Sequence, residues 1–73
     1  MSNITKEQYE ERKEKTYQFI KQYIEKYKYA PTYREIAEGV GICLDTAFNH
    51  LRILRDENKI DFIDGKARTI KIK

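Results

Sequence analysis

Apolar residues recur along the first third of the chain with the spacing of one helical face. The series begins at Thr16 and continues at positions i+3, i+4, i+7, i+8 and i+11, which are Phe19, Ile20, Tyr23, Ile24 and Tyr27. This spacing predicts an amphipathic helix. Thr5, three residues before Gln8, fits a capping box, so the helix is predicted to begin near Lys6. Residues 6–15 interleave charges of both signs and are interpreted as a solvated helical face.

A proline separates this helix from a second one. Pro31 disfavours helical geometry at the residue before it, and Thr32 with Glu35 forms another capping box directly afterwards. The apolar positions that follow are Ile36, Ala37 and Val40. Gly41 can adopt the left-handed conformation that ends a helix. The second helix is therefore predicted over residues 33–40.

A short turn precedes a third helix. Residues 42–44 are predicted to form the turn, and Asp45 is a suitable N-cap for the helix that follows. The apolar positions of this helix are Ala47, Leu51 and Leu54. Asn58 can close it, because asparagine tolerates the left-handed conformation. Two helices joined by so short a turn are typical of a helix-turn-helix.

The last segment changes to a two-residue period. The apolar positions that alternate with polar ones are Ile60, Phe62, Ile70 and Ile72. Between them lies Asp64-Gly65, a strong hairpin signal. An isolated hairpin is marginal in water, so its apolar side is predicted to pack on the helices. Residues 1–73 are thus predicted to form a single domain, mainly α with a small β-hairpin: a winged helix-turn-helix with three helices followed by a two-stranded wing.

Composition and cysteine content narrow the possible functions. The net charge of +3 is spread along the chain and favours a polyanionic partner only mildly. No apolar run is long enough to span a membrane, and the first residues lack the apolar region of a secretory signal, so a cytoplasmic, nucleoid-associated protein is expected. Cys43 has no disulfide partner and only His50 as a possible zinc co-ligand, so it is interpreted as a small, reduced apolar residue.

Enzymatic chemistry has no support in the sequence. There is no nucleophile with a base at plausible spacing, no glycine-rich phosphate loop and no cluster of metal ligands. We therefore predict that the domain is not an enzyme and has no catalytic residues, metal or cofactor.

The third helix has a polar face that suits a reader of the DNA major groove. If its apolar positions face the core, the 100° step per residue turns four residues outward or nearly so: Thr46, Asn49, Arg52 and Ile53. Asparagine can form two hydrogen bonds with an adenine edge and arginine with a guanine edge. Asn49 and Arg52 are the leading base-contact candidates, flanked by Thr46 and by Phe48, which either touches a thymine methyl or packs within the protein. An ordinary solvent-exposed helix is the alternative interpretation.

A second set of residues is predicted to contact the DNA backbone. The helix at about 45–57 is predicted to lie in the major groove, with the hairpin 59–72 on the phosphates or in the minor groove. The amides at the start of the second helix can bind a phosphate. The predicted phosphate or wing contacts are Thr32, Tyr33, Arg34, Asp45, His50, Lys66, Arg68 and Lys71. The alternatives are a position at the core margin for His50, simple capping for Thr32 and solubilising charge for the hairpin residues.

The segment YAPTYREIAEGVG, followed by HLRIL and a short hairpin, resembles the N-terminal DNA-binding domain of LexA-type repressors. The resemblance covers about residues 16–72. It implies a winged helix-turn-helix whose helix from about Asp45 reads an operator, as in a repressor of the SOS (DNA-damage) regulon.

The sequence departs from this family pattern in three places. Between Gly41 and His50 it is one residue shorter than most LexA domains, and polar residues of the family are replaced by Cys43, Leu44 and Phe48. Ser2 is the only serine, so the serine-lysine self-cleavage of full LexA is absent from these residues. The chain is interpreted either as an excised domain or as a small stand-alone regulator.

Two functions from different classes fit these observations. The first is sequence-specific binding of double-stranded DNA by a transcriptional repressor, with a second copy or a partner protein on a palindromic site and no membrane partner. The second is a protein-interaction module that uses the tyrosine-rich first helix. The favoured interpretation of these tyrosines is instead that Tyr17, Tyr23 and Tyr27 fill the edge of the core, which leaves Tyr9 or Tyr29 for a dimer contact.

Overall fold

The computed structural model describes residues 6–73, and the predicted capping residue Thr5 lies outside them. The elements are, in chain order, α1 (Lys6–Tyr27), α2 (Tyr33–Val40), α3 (Leu44–Asp56), β1 (Ile60–Asp61) and β2 (Lys71–Ile72). The two strands pair in antiparallel order, with Ile60 opposite Ile72 and Asp61 opposite Lys71. This is the predicted winged helix-turn-helix, mainly helical with a two-stranded wing.

The hydrophobic core lies where the three helices meet the base of the hairpin. Its buried side chains are Ile20, Ala30, Ile36, Ala37, Ala47, Leu51, Leu54, Ile60, Phe62 and Ile70. The apolar stripes predicted for the second and third helices and the apolar side of the hairpin are therefore confirmed. The stripe on α1 ends earlier than predicted, because Tyr27 is 44% exposed and does not lie at the edge of the core.

Both predicted ends of α2 are confirmed. The Thr32 hydroxyl accepts the Glu35 N–H at 3.1 Å, and the Glu35 carboxylate accepts the Thr32 N–H at 2.8 Å. That backbone N–H, the Tyr23 hydroxyl and Arg68 hold the pKa of the Glu35 carboxyl below its usual value. Gly41 ends the helix at φ 82°, in the left-handed region that glycine adopts without strain.

The start of α3 differs from the prediction. The N-cap is Cys43, with an extended backbone, and its carbonyl accepts the Ala47 N–H at 3.0 Å. The helix therefore begins at Leu44, and Asp45 lies in its first turn, where a negative charge is favourable near the positive end of the helix dipole. The predicted N-cap at Asp45 was wrong, because local propensity did not distinguish two adjacent starting points.

Cys43 is exposed and not packed as an apolar residue, which corrects a second expectation. Its thiol lies 3.0 Å from the Thr46 hydroxyl, and hydrogen bonding to Thr46 lowers the pKa of the thiol.

The end of α3 agrees with the prediction. Asn58 has φ 66°, the left-handed conformation expected of a residue that closes a helix. The Lys59 N–H then returns to the Leu54 carbonyl at 3.0 Å. The left-handed Asn58 and this bond turn the chain from α3 directly into β1.

The charged N-terminal half of α1 is not simply a solvated face. Lys13 is buried, and its ammonium group lies 2.7 Å from the Glu57 carboxylate and 3.0 Å from that of Glu10. The hydrogen bond with Glu57 raises the pKa of Lys13 and lowers that of Glu57. The prediction failed here because α3 packs along this half of α1 and covers Lys13.

No helix within residues 6–73 is long and apolar enough to cross a membrane. The same residues contain no group of three or more His, Cys, Asp or Glu side chains that could hold a metal ion. A groove of about 830 Å³ lies between the end of α1 and the hairpin, and no residue of α3 lines it.

Candidate nucleic-acid interface

The outward face of α3 carries two polar side chains with no internal role. Asn49 and Arg52 are exposed, while Leu51 between them is fully buried. None of the described residues forms a hydrogen bond or an ion pair with the side chain of either. Thirteen residues of helix extend about 20 Å, and the major groove of B-DNA admits such a helix. Asp45 and Asp56 are exposed near the two ends of α3.

The other two base-contact candidates lie at the flanks of this face. Thr46 is half-buried, and its hydroxyl faces the thiol of Cys43. Phe48 is also half-buried, with its ring centroid 4.7 Å from that of Tyr33. The packing interpretation of Phe48 therefore holds in the free protein, and a base contact by either residue stays a prediction.

The start of α2 offers backbone donors to a phosphate. Thr32 uses both its hydroxyl and its N–H in the capping box with Glu35, so these groups are already engaged. The N–H groups of Tyr33 and Arg34 have no acceptor among the described residues. The Arg34 side chain is exposed, with no carboxylate of residues 6–73 within ion-pair distance. The backbone amides and one free guanidinium are thus available at this helix end.

Tyr33 has an internal role that the sequence did not reveal. Its hydroxyl lies 2.8 Å from the Lys66 carbonyl and 3.0 Å from the Ile63 carbonyl, so it donates into the wing loop. Its ring lies 4.7 Å from Phe48 of α3 and 6.2 Å from Phe62 at the base of the wing. The predicted phosphate contact uses the backbone N–H of Tyr33 and stays a prediction. No local spacing links these residues, which belong to three separate segments.

The basic residues of the wing differ in whether their side chains are already paired within the protein. Lys66 is exposed and has no ion-pair partner in the described part of the chain. Arg68 instead points back to the body, where its guanidinium donates to the Ala30 carbonyl at 2.9 Å and pairs with Glu35 at 3.3 Å. Lys71 is exposed on β2, opposite Asp61. At the tip of the wing, Lys66 is therefore available to bind a phosphate, while Arg68 holds the wing against the body.

Arg55 is a second link between α3 and the wing that sequence reasoning missed. Its guanidinium lies 4.3 Å from the centre of the Phe62 ring and donates to the Phe62 carbonyl at 3.3 Å. It also pairs with Asp64 at 3.5 Å. Arg55 thus binds the wing from α3, and Arg68 binds the wing to Ala30 and to Glu35 of α2.

His50 does not belong to the interface. Its side chain is fully buried, with its ring 4.8 Å from that of Tyr9 on α1. Neither ring nitrogen has a hydrogen-bond partner among residues 6–73. Burial, and then the charges of Lys13 and Arg12, lower the pKa of His50, while Glu10 opposes the shift. The predicted phosphate contact of His50 was wrong, because α1 covers this side of α3.

A family model described as the LexA DNA binding domain matches residues 1–69. The chain belongs to this family. No curated protein matches the chain significantly. The family match confirms the resemblance seen in YAPTYREIAEGVG and identifies a repressor-type, sequence-specific DNA-binding domain, which is not a catalytic domain. Double-stranded DNA is accordingly the partner of this LexA-type domain.

Proposed function

We propose that this LexA-type domain reads its operator with α3 in the major groove, where Asn49 and Arg52 contact base edges. The observation that carries the proposal is that these two side chains stand outward and unpaired on a helix anchored by the buried Leu51. Asparagine and arginine form bidentate hydrogen bonds with adenine and guanine, respectively. Thr46 and Phe48 lie beside them and adjust the fit to neighbouring bases.

The backbone contacts in this proposal come from the start of α2 and from the wing. At the start of α2, the free N–H groups of Tyr33 and Arg34 and the Arg34 guanidinium bind one phosphate. At the wing, Lys66 binds the backbone or enters the adjacent minor groove, and Lys71 adds charge along β2. These contacts set the register of α3 without reading sequence.

We also propose that two domains, or this domain and a partner protein, bind one palindromic site. A single module of this size covers about 600–1,000 Å² of interface, which is small for tight specific binding. Two-fold related half-sites one helical turn apart double that area. The number of domains bound to one selected duplex, measured by analytical ultracentrifugation, tests this arrangement.

Replacing Arg52 with alanine is expected to weaken binding to the preferred duplex by about 1–3 kcal/mol, since a bidentate arginine-guanine contact contributes that much discrimination. A duplex selected by the wild-type domain from random DNA and a scrambled duplex of equal length are titrated at the same salt concentration. The loss of affinity for the selected duplex should exceed the loss of affinity for the scrambled one. Arg52→Lys, which keeps the charge but not the fork of donors, should resemble the alanine variant in specificity.

Lys66→Ala is the matched control for Arg52→Ala. It removes a sequence-independent contact, so the affinity for both duplexes should fall by the same factor. The slope of log affinity against log salt concentration should decrease in magnitude by about one. Equal losses on both duplexes for Arg52→Ala would contradict its assignment as a base reader.

An exposed aromatic cluster favours protein binding as a second candidate function. Tyr27 and Tyr29 are 44% and 49% exposed, and their rings lie 4.5 Å and 5.8 Å from that of Tyr23. Tyrosine is enriched at protein interfaces. DNA binding falls steeply with added salt and an aromatic protein contact does not, so a salt titration of any complex distinguishes the two functions.

A further inference from the structure

The wing loop is held by side chains of the helical body more than by its own strands. β1 and β2 contain only two residues each, and a ladder this short does not by itself fix residues 62–70 relative to the helices. Within the loop, the Thr69 hydroxyl lies 3.3 Å and 3.1 Å from the Ile63 and Lys66 carbonyls, but these bonds do not reach the helical body. The loop positions Lys66, which the proposed function places on the DNA backbone. Lys66 and α3 can contact the same duplex only if the backbone at Lys66 is held in place relative to α3.

Tyr33 makes this connection. Its ring packs against Phe48 on α3, and its hydroxyl donates to the carbonyls of Ile63 and Lys66, at 3.0 Å and 2.8 Å. The side chain is half-buried and is rooted in the first turn of α2, next to the Thr32 capping box. It is thus attached to the helices at one end and to the tip of the wing at the other.

We infer that Tyr33 is a positioning residue for DNA binding: its hydroxyl holds the Lys66 segment at a fixed place relative to the recognition helix. The inference rests on the proposed function, because it acts through the phosphate contact of Lys66. A wing fixed before binding avoids the loss of conformational freedom that ordering a loose loop on DNA requires. In this role the Tyr33 side chain acts on the wing and does not contact the nucleic acid.

Tyr33→Phe tests this role because it keeps the ring between Phe48 and Phe62 and removes only the hydroxyl. The probe is a short mixed-sequence duplex at low salt, which measures the backbone contacts. Loss of one hydrogen bond predicts roughly 3- to 10-fold weaker binding. Tyr17→Phe is the matched control, since the Tyr17 hydroxyl has no hydrogen-bond partner in the described residues, and it should bind like the wild type.

The decisive measurement repeats Tyr33→Phe in a Lys66→Ala background. If the hydroxyl acts by positioning Lys66, its removal should have no further effect once Lys66 is gone, a non-additivity that a double-mutant cycle measures. Backbone ¹⁵N relaxation should also show increased motion at residues 63–67 in Tyr33→Phe. A purely structural tyrosine would instead weaken binding equally with and without Lys66.

The outcomes separate this inference from the proposed function. Failure of the wild-type domain to bind any duplex at low salt would contradict the proposed function itself. Wild-type binding together with unchanged affinity of Tyr33→Phe, or an equal loss in the Lys66→Ala background, would overturn the positioning role alone.

Discussion

Replacing Leu51 with alanine is expected to destabilise the domain by about 2–5 kcal/mol and to weaken DNA binding, because the recognition helix loses its buried anchor. Leu51 is fully buried on the inner face of α3, so truncation leaves a cavity between the recognition helix and the rest of the core. A domain of this length has a total stability of about 4–11 kcal/mol, so the loss is a large fraction of the whole.

Urea unfolding followed by circular dichroism measures this loss, and binding to the selected duplex is recorded on the same samples. Arg52→Ala is the control, because it changes the neighbouring residue on the exposed side of the same helix and should leave stability within about 0.5 kcal/mol. Unchanged stability of Leu51→Ala would contradict the placement of this side chain in the core and, with it, the outward direction of Arg52.

Lowering the pH from neutral is expected to destabilise the domain through His50. Its imidazole is fully buried beside Tyr9, and Lys13 and Arg12 of α1 lie near it with only Glu10 in opposition. Burial first, and these positive charges second, lower the pKa of His50 in the folded protein. In the unfolded chain the pKa returns to its ordinary value of 6.5.

The sign of the pH effect follows from these two pKa values. Between the folded-state pKa and 6.5 the unfolded chain binds a proton that the folded domain excludes. The contribution of neutral His50 to the free energy of unfolding is therefore complete above pH 6.5, and it declines as the pH falls towards the folded-state pKa. The pKa values of Glu35 and Glu57 are lowered from 4.5, so the stability that these two carboxylates provide is lost only at more acidic pH.

His50→Leu isolates this effect. Leucine fills a similar volume without leaving two ring nitrogens unpaired, so the variant should be about 1–3 kcal/mol more stable at neutral pH. Its stability should also be nearly constant across the pH range in which the wild type weakens. Urea midpoints at neutral and mildly acidic pH measure both effects, and an unchanged pH dependence in His50→Leu would show that another group is responsible.

Features that depend on neighbouring residues could be predicted from the sequence. The Thr32–Glu35 capping box, the left-handed Gly41 and the closing Asn58 each arise from side chains and backbone within a few positions. The buried faces of α2 and α3 follow from helical periodicity, which also turned Asn49 and Arg52 outward. Periodicity tells which residues share a face, and in a domain this small each apolar face must meet the single core.

Features that depend on residues far apart were decided only by the tertiary structure. The sequence assigned Lys13 to a solvated face and His50 to a core margin or a phosphate, yet α1 and α3 bury both against each other. It did not reveal that the Tyr33 hydroxyl bonds to the wing loop or that the Arg68 guanidinium bonds to the Ala30 carbonyl. The physical reason is that a polar side chain on a helix can face water or a second helix at the same sequence spacing. The choice is made by how the elements pack, because packing alone brings distant donors, acceptors and rings within contact distance.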